Sequence, residues 1–192
     1  MPPKTTILAF DTSAAHCAAA LLWDGRITTQ VEEMKRGQAE HLMVLLENML
    51  KQADLDWADL TAIGVGIGPG NFTGIRISVS AARGLALGLG IPAIGVGILD
   101  AIAYGQPRPM IATLPAPRDM HYAQHFDVTQ SDITLEPGAV PAFDAHHVTS
   151  SIARIAAERS QSGAPMPRPA PLYMRAADAA PPRDPAPVIL AD

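Results

Sequence analysis

The chain begins with a short unbroken apolar run, Thr6 to Phe10, that stops at three polar residues, Asp11, Thr12 and Ser13. A run of this length closed by a polar turn predicts a buried strand. Residues 15–23 predict a second strand and Arg26 to Glu33 a third. Asp24-Gly25 between them marks a hairpin, because glycine tolerates the positive φ of a tight turn. The period then changes. Ala39, Leu42, Met43, Leu46, Met49, Leu50 and Ala53 recur at helical spacing, so Gly37 to Ala53 predicts an amphipathic helix. Ala62 to Ile67 predicts a strand. The glycine-rich loop Gly68-Pro69-Gly70-Asn71-Phe72 follows, with Thr73 as N-cap of a helix running to about Leu87. Gly88, Gly90 and Pro92 stop it, Ala93 to Val96 predicts another strand, and Leu99 to Tyr104 a short helix.

Beyond Pro107 the pattern weakens. Met110 to Leu114 and His121 to Val128 predict strands, and Ser150 to Arg159 a helix capped by Thr149 or Ser150. Past Gln161 the prolines are dense (165, 167, 169, 171, 181, 182), which predicts an extended or disordered tail. The element order is three strands, then alternating helix and strand. It predicts an α/β fold, a mixed sheet flanked by helices. Three segments are expected: a lobe over 1–104, a short second lobe over 105–161, and the tail, 162–192.

Composition narrows the picture. Hydrophobic residues make up 48% and charged residues 17%, enough apolar material for a core through most of the length. The formal net charge of −5 argues weakly against a protein that grips nucleic acid alone, since phosphate contacts need clustered Lys and Arg. A single cysteine, Cys17, excludes an internal disulfide and fits a reducing compartment. The N-terminus has no basic stretch followed by an apolar one, and no apolar run approaches the roughly 18 residues of a membrane span. A cytoplasmic chain is expected.

Three segments carry a resemblance. They are Ile7 to Ser13; the block Gly68-Pro69-Gly70-Asn71-Phe72-Thr73-Gly74-Ile75-Arg76-Ile77 with Ala82 to Ala86 and Ile91 to Val96 after it; and Pro171-Leu172-Tyr173-Met174-Arg175. In this order they resemble the TsaB (YeaZ) family, historically labelled glycoproteases. The match covers about residues 5–104 and 171–182, and the glycine block is its specific part. The resemblance implies a ribonuclease-H-like lobe of the actin-like ATPase superfamily, with a reduced second lobe. It also implies a non-catalytic role in placing a threonylcarbamoyl group on an adenosine beside the tRNA anticodon. The implied partners are the catalytic paralogue TsaD and the ATPase TsaE. A homodimer is implied in isolation, with tRNA reached only through the complex. The family's second lobe opens on a strand ending Asp-Ala-Arg. Here Ala116-Pro117-Arg118-Asp119 retains only the arginine.

Candidate chemistry divides into an anion site and an interface. In ATP-binding relatives of this fold an Asp at the end of the first strand handles metal and phosphate, which nominates Asp11 with Thr12 and Ser13. A turn in which Asp11 merely caps the backbone is the competing account. Gly68, Gly70, Asn71, Thr73, Gly74 and Arg76 could present backbone N–H groups to a phosphate, or could serve only close packing. The block lacks the lysine of a P-loop. No cofactor is expected, although a nucleotide at a subunit junction stays open. The interface candidates are Leu42, Leu45, Met49, Ile75, Val79, Ala81, Gly84 and Gly88, which widen the apolar arc or leave room for a close approach.

No catalytic or metal-binding set is expected. The catalytic paralogue holds its metal with two helical histidines four apart. Here the positions four from His41 are Gly37 and Leu45. His121 and His125 are four apart in a strand pattern, which separates them by roughly 13 Å, too far to share an ion. Cys17 among alanines predicts a buried inert thiol, and Ser13 has no partner histidine at a recognisable triad spacing. The rival readings are a metalloprotease of the glycoprotease type, disfavoured by the missing histidine, and a free-standing ATPase, which would need an adenosine pocket in the short second lobe.

Overall fold

A computed structural model describes residues 5–174. Arg175 of the C-terminal motif and the remainder of the expected tail lie outside the described residues. The first apolar run forms β1 (Ile7–Asp11), followed by β2 (His16–Trp23) and β3 (Arg26–Glu33). Asp24 and Gly25 both adopt positive φ, 47° and 74°, which is why this dipeptide closes the β2–β3 hairpin. After α1 (Gln38–Gln52) come β4 (Ala62–Gly66), α2 (Phe72–Leu89), β5 (Ala93–Val96) and α3 (Ile98–Ala103). The five strands form one sheet in the order β3-β2-β1-β4-β5. β1 pairs antiparallel with β2 and parallel with β4, and β4 pairs parallel with β5. This is the mixed, helix-flanked α/β sheet of the actin-like fold expected from the sequence.

Alternation along β1 sorts its residues between two cores. Leu8 and Phe10 pack with Leu42, Leu45, Leu46, Met49, Leu50, Ile75 and Val79 of α1 and α2 on one face. Ile7 and Ala9 pack on the other, with α3 and with α4 (Ala145–Gln161). β1 is buried on both sides, which accounts for its unbroken apolar run. Helix α4 lies close on its face: a Cβ added at Gly64 of β4 would sit 3.1 Å from the Cβ atoms of Ala156 and Ala9.

The residues expected to form the second lobe are shared between two places. β6 (Met110–Ala116), β7 (Met120–Phe126) and β8 (Thr134–Pro137) make a separate antiparallel sheet in the order β6-β7-β8. Arg118 and Asp119, at positive φ, turn the chain between β6 and β7. α4, by contrast, covers β1, β2, β3, β4 and β5 of the first sheet. Ala112, Leu114, Tyr122 and Phe126 of the small sheet share one apolar cluster with α3 and α4, so the core continues across the expected boundary.

Two caps differ from expectation. Asn71, not Thr73, caps α2: its side-chain oxygen accepts from the Gly74 backbone N at 2.9 Å, and Thr73 lies inside the helix. Asp144, not Thr149 or Ser150, caps α4, accepting from the backbone N of His146 and His147. α4 therefore starts five residues before Ser150, and Thr149 turns its hydroxyl back to the Ala145 carbonyl at 2.7 Å. The described part of the tail is extended and mostly exposed, and it is anchored at two points. Leu172 N donates to the Ile67 carbonyl at 2.8 Å, and Pro169 is buried beside Gly95.

Candidate functional site

The first two of the sequence segments singled out above meet at the ends of β1 and β4, and Leu172 and Tyr173 of the third join the second at Ile67 and Arg76. Asp11, the last residue of β1, is fully buried, and its Oδ2 accepts three hydrogen bonds. They come from Ser13 N at 3.1 Å, Ser13 Oγ at 2.8 Å and His16 Nε2 at 3.0 Å. The first closes the local turn by which an Asp caps backbone two residues on. His16, at the start of β2, was not singled out from the sequence, because its spacing from Asp11 spans a turn. Its ring meets the edge of Phe143 at 5.7 Å. Ser13 and His16 share one carboxylate oxygen, so the serine hydroxyl proton points to Asp11. This is not the relay of a serine hydrolase, in which the histidine lies between the other two. The other oxygen, Oδ1, is buried against Gly66 and Ile98 with no hydrogen-bond partner.

The glycine block closes over this turn. Thr12 Oγ1 donates to the Gly74 carbonyl at 2.6 Å, and Asn71 N donates to the Ser13 carbonyl at 2.7 Å. A Cβ at Gly70 would lie 2.6 Å from Ser13 O, and one at Gly74 would fall on Thr12 O. Gly68, at φ 101°, tucks under Ile75, and its carbonyl accepts from Ile98 N at 2.8 Å. The structure thus brings Asp11, Thr12, Ser13, Gly68, Gly70, Asn71 and Gly74 together and turns them on one another. Asp11, Thr12 and Ser13 are buried, and of their side-chain polar atoms Asp11 Oδ2, Thr12 Oγ1 and Ser13 Oγ bond within the chain while Asp11 Oδ1 does not. Thr73 and Arg76 stay exposed on the first turns of α2.

Five interface candidates take a different place. Leu42, Leu45, Met49, Ile75 and Val79 are buried under α1 and α2 against the chain's own sheet and are core residues. The reason is geometric: the densest apolar stripe of each helix faces the sheet. Gly84 and Gly88 lie outward, Ala81 is half-buried against the core under α1 and α2, and the outward face also holds large apolar residues. Met43 is 41% exposed, Val44 49% and Leu87 83%. Met43, Glu47, Trp57, Gly84, Leu85, Gly88 and Leu89 line a groove of about 570 Å³ between the two helices. A Cβ added at Gly84 or Gly88 meets nothing within 4 Å.

The remaining histidines and the cysteine build no shared site among the described residues. His41 Nε2 lies 2.5 Å from Glu32. His121 lies on β7, with Nδ1 at 2.9 Å from the Gly138 carbonyl; His125 is exposed further along the same strand. Among the described residues, no three His, Cys, Asp or Glu side chains converge as a metal site would require. Cys17 is buried, and burial first, then the charges of Glu32 and Asp11, push its thiol up to about 11. The native protein should therefore react with a thiol-specific reagent at pH 8 far more slowly than the urea-unfolded chain. Equal rates of absorbance change on adding the reagent would show that Cys17 is accessible.

Fold and site together define an actin-like α/β protein whose glycine block is closed on the turn after β1 and whose helices α1 and α2 present an apolar groove. The model of the TsaD family, tRNA N6-adenosine threonylcarbamoyltransferase, matches residues 26–173. Among solved structures, YeaZ from Pseudomonas aeruginosa superposes with a TM-score of 0.69 at 25% identity, covering 88% of this chain and 100% of that one. A crystal structure of an uncharacterized protein with similarity to peptidase YEAZ, also from Pseudomonas aeruginosa, gives 0.69 at 26% identity. It covers 89% of this chain and 100% of that one. No curated protein sequence matches the chain. The chain belongs to the tRNA N6-adenosine threonylcarbamoyltransferase family, and its fold is similar to that of YeaZ. No helix among the described residues is long and apolar enough to cross a membrane.

Proposed function

We propose that this chain is the non-catalytic docking subunit of a cytoplasmic complex that transfers a threonylcarbamoyl group to adenosine in tRNA. Family membership supports the reaction class. The observation that carries the docking role is the exposed apolar and small-residue face of α1 and α2: Met43, Val44, Gly84, Leu87 and Gly88. Its occupant is the catalytic paralogue TsaD, and a second copy of this chain takes the same face when the paralogue is absent. The ATPase TsaE joins the assembled pair. The buried Asp11–Ser13 turn, bonded within itself and through Thr12 to Gly74, supports a subunit that handles no nucleotide phosphate there.

The purified chain should have neither peptidase nor tRNA-modifying activity alone, and should co-elute with its catalytic paralogue in size-exclusion chromatography with light scattering. Chelator-sensitive turnover by this chain alone would favour the metalloprotease reading. Failure to co-elute at micromolar concentrations would remove the docking role.

A further inference from the structure

Phe72, Arg76 and Tyr173 form an exposed cluster that the docking groove does not use. Phe72 and Arg76 stand one turn apart on α2, and the tail delivers Tyr173 beside them. The Arg76 guanidinium carbon lies 3.9 Å from the centre of the Phe72 ring, and Nε donates to the Tyr173 hydroxyl at 2.8 Å. The two rings stack at 4.8 Å between centroids, tilted by 34°. Phe72 and Tyr173 are each 40% exposed and Arg76 is exposed, so the cluster sets aromatic surface and a cation in water side by side. Next to it along α2, Asn71, Thr73 and Ile77 line a cavity of about 520 Å³ whose other wall carries Lys35 and Arg36. Glu40 is the one acid in that lining. Among the described residues, neither Lys35 nor Arg36 has an ion-pair partner.

We propose that this end of the molecule contacts single-stranded RNA directly. An unpaired base stacks on the Phe72 and Tyr173 rings, and the flanking phosphates meet Arg76, Lys35 and Arg36. Stacking on exposed aromatic faces beside cations is how proteins hold unpaired bases with little sequence preference. The inference rests on the tRNA role proposed above and departs from the expectation that tRNA is reached only through other subunits. With a net charge of −5 the contact is weak and salt-sensitive when the chain acts alone.

The probe is a fluorescently labelled 17-nucleotide stem–loop with unpaired adenosines in its loop, titrated with the full chain and read by anisotropy. The wild type should bind with a dissociation constant on the order of 10–100 µM in low salt and lose affinity as salt rises. Phe72→Ala with Tyr173→Ala should weaken binding roughly 10-fold or more without altering the salt slope. Lys35→Ala with Arg36→Ala should weaken it and flatten the slope by about two. Tyr173→Phe, which keeps the ring, should bind like the wild type. Far-UV circular dichroism and co-elution with the catalytic paralogue accompany each variant. A chain that docks the paralogue but shows no saturable RNA binding overturns this inference and leaves the docking role standing. So does a folded double-alanine aromatic variant that binds like wild type, or a blunt duplex bound as tightly as the loop. RNA binding without paralogue docking has the opposite effect: it supports this inference and removes the docking role.

Discussion

Gly84→Glu should leave the chain folded and make it monomeric, with docking to the catalytic paralogue lost. Gly84 is exposed on α2, and a Cβ there meets nothing within 4 Å, so the isolated chain accommodates the side chain. Replacing a mid-helix glycine should even favour α2 by about 0.5 kcal/mol. The cost arises only when a partner covers the groove. A carboxylate buried there without a counter-charge loses on the order of 3 kcal/mol or more, a fall in affinity of roughly 100-fold. Glu47 lines the same groove, so the new carboxylate also faces an existing one. Light scattering and far-UV circular dichroism on one sample separate the outcomes. A monomer with wild-type helical signal places Gly84 in the contact. A folded variant that still dimerises and still binds the paralogue takes Gly84 out of the interface and weakens the docking role of α2.

What the sequence revealed and what it hid divide along physical lines. β1 was legible because Ile7 to Phe10 alternate between two cores and so read as one apolar run. The β2–β3 hairpin was legible because Asp24-Gly25 admits positive φ at both positions. β8 was not legible. It is four residues long, largely exposed, ends in Pro137, and is held only by its register with β7, as in Tyr122 opposite Leu135. The cap of α2 was misplaced at Thr73 because Asn71, two residues earlier, is equally a capping type, and only the observed bond from Gly74 N selects it.

The site was half legible for a related reason. Helical periodicity reveals an apolar stripe but not its partner. Leu42, Leu45 and Met49 fall on the stripe that the sheet takes, whereas Met43 and Val44, between them in sequence, look outward. His16 was missed because its bond to Asp11 crosses a turn that no fixed spacing encodes. The prolines of the tail foretold an extended chain. Its packing depends on two points far away in sequence, the Ile67 carbonyl and the bare Cα of Gly95.

Gly74→Ala should be the most damaging single-methyl change in the glycine block, although it replaces glycine with the best helix former inside a helix. By propensity alone it would stabilise α2 by about 1 kcal/mol. The added Cβ, however, would fall on the Thr12 carbonyl oxygen, and its neighbour in that direction is backbone rather than a side chain able to swing away. Relief requires moving α2 off the β1 turn. That strains the Thr12 Oγ1 to Gly74 O bond and the Asn71 N to Ser13 O bond, which fasten the turn to the helix. Overpacking of this kind costs about 3 kcal/mol, and more where backbone must shift. For a chain of this size that lowers the melting temperature by roughly 6–12 °C. Gly84→Ala, ten residues along the same helix with open space above it, isolates the propensity effect and should leave the melting temperature unchanged or raise it slightly. Thermal denaturation of the two variants beside the wild type decides the matter. If Gly74→Ala melts with the wild type, the helix is not seated on the Asp11–Ser13 turn as described. The block's glycines would then have to be explained by something other than close packing, and the anion-binding account of Gly68 to Arg76 would regain its footing.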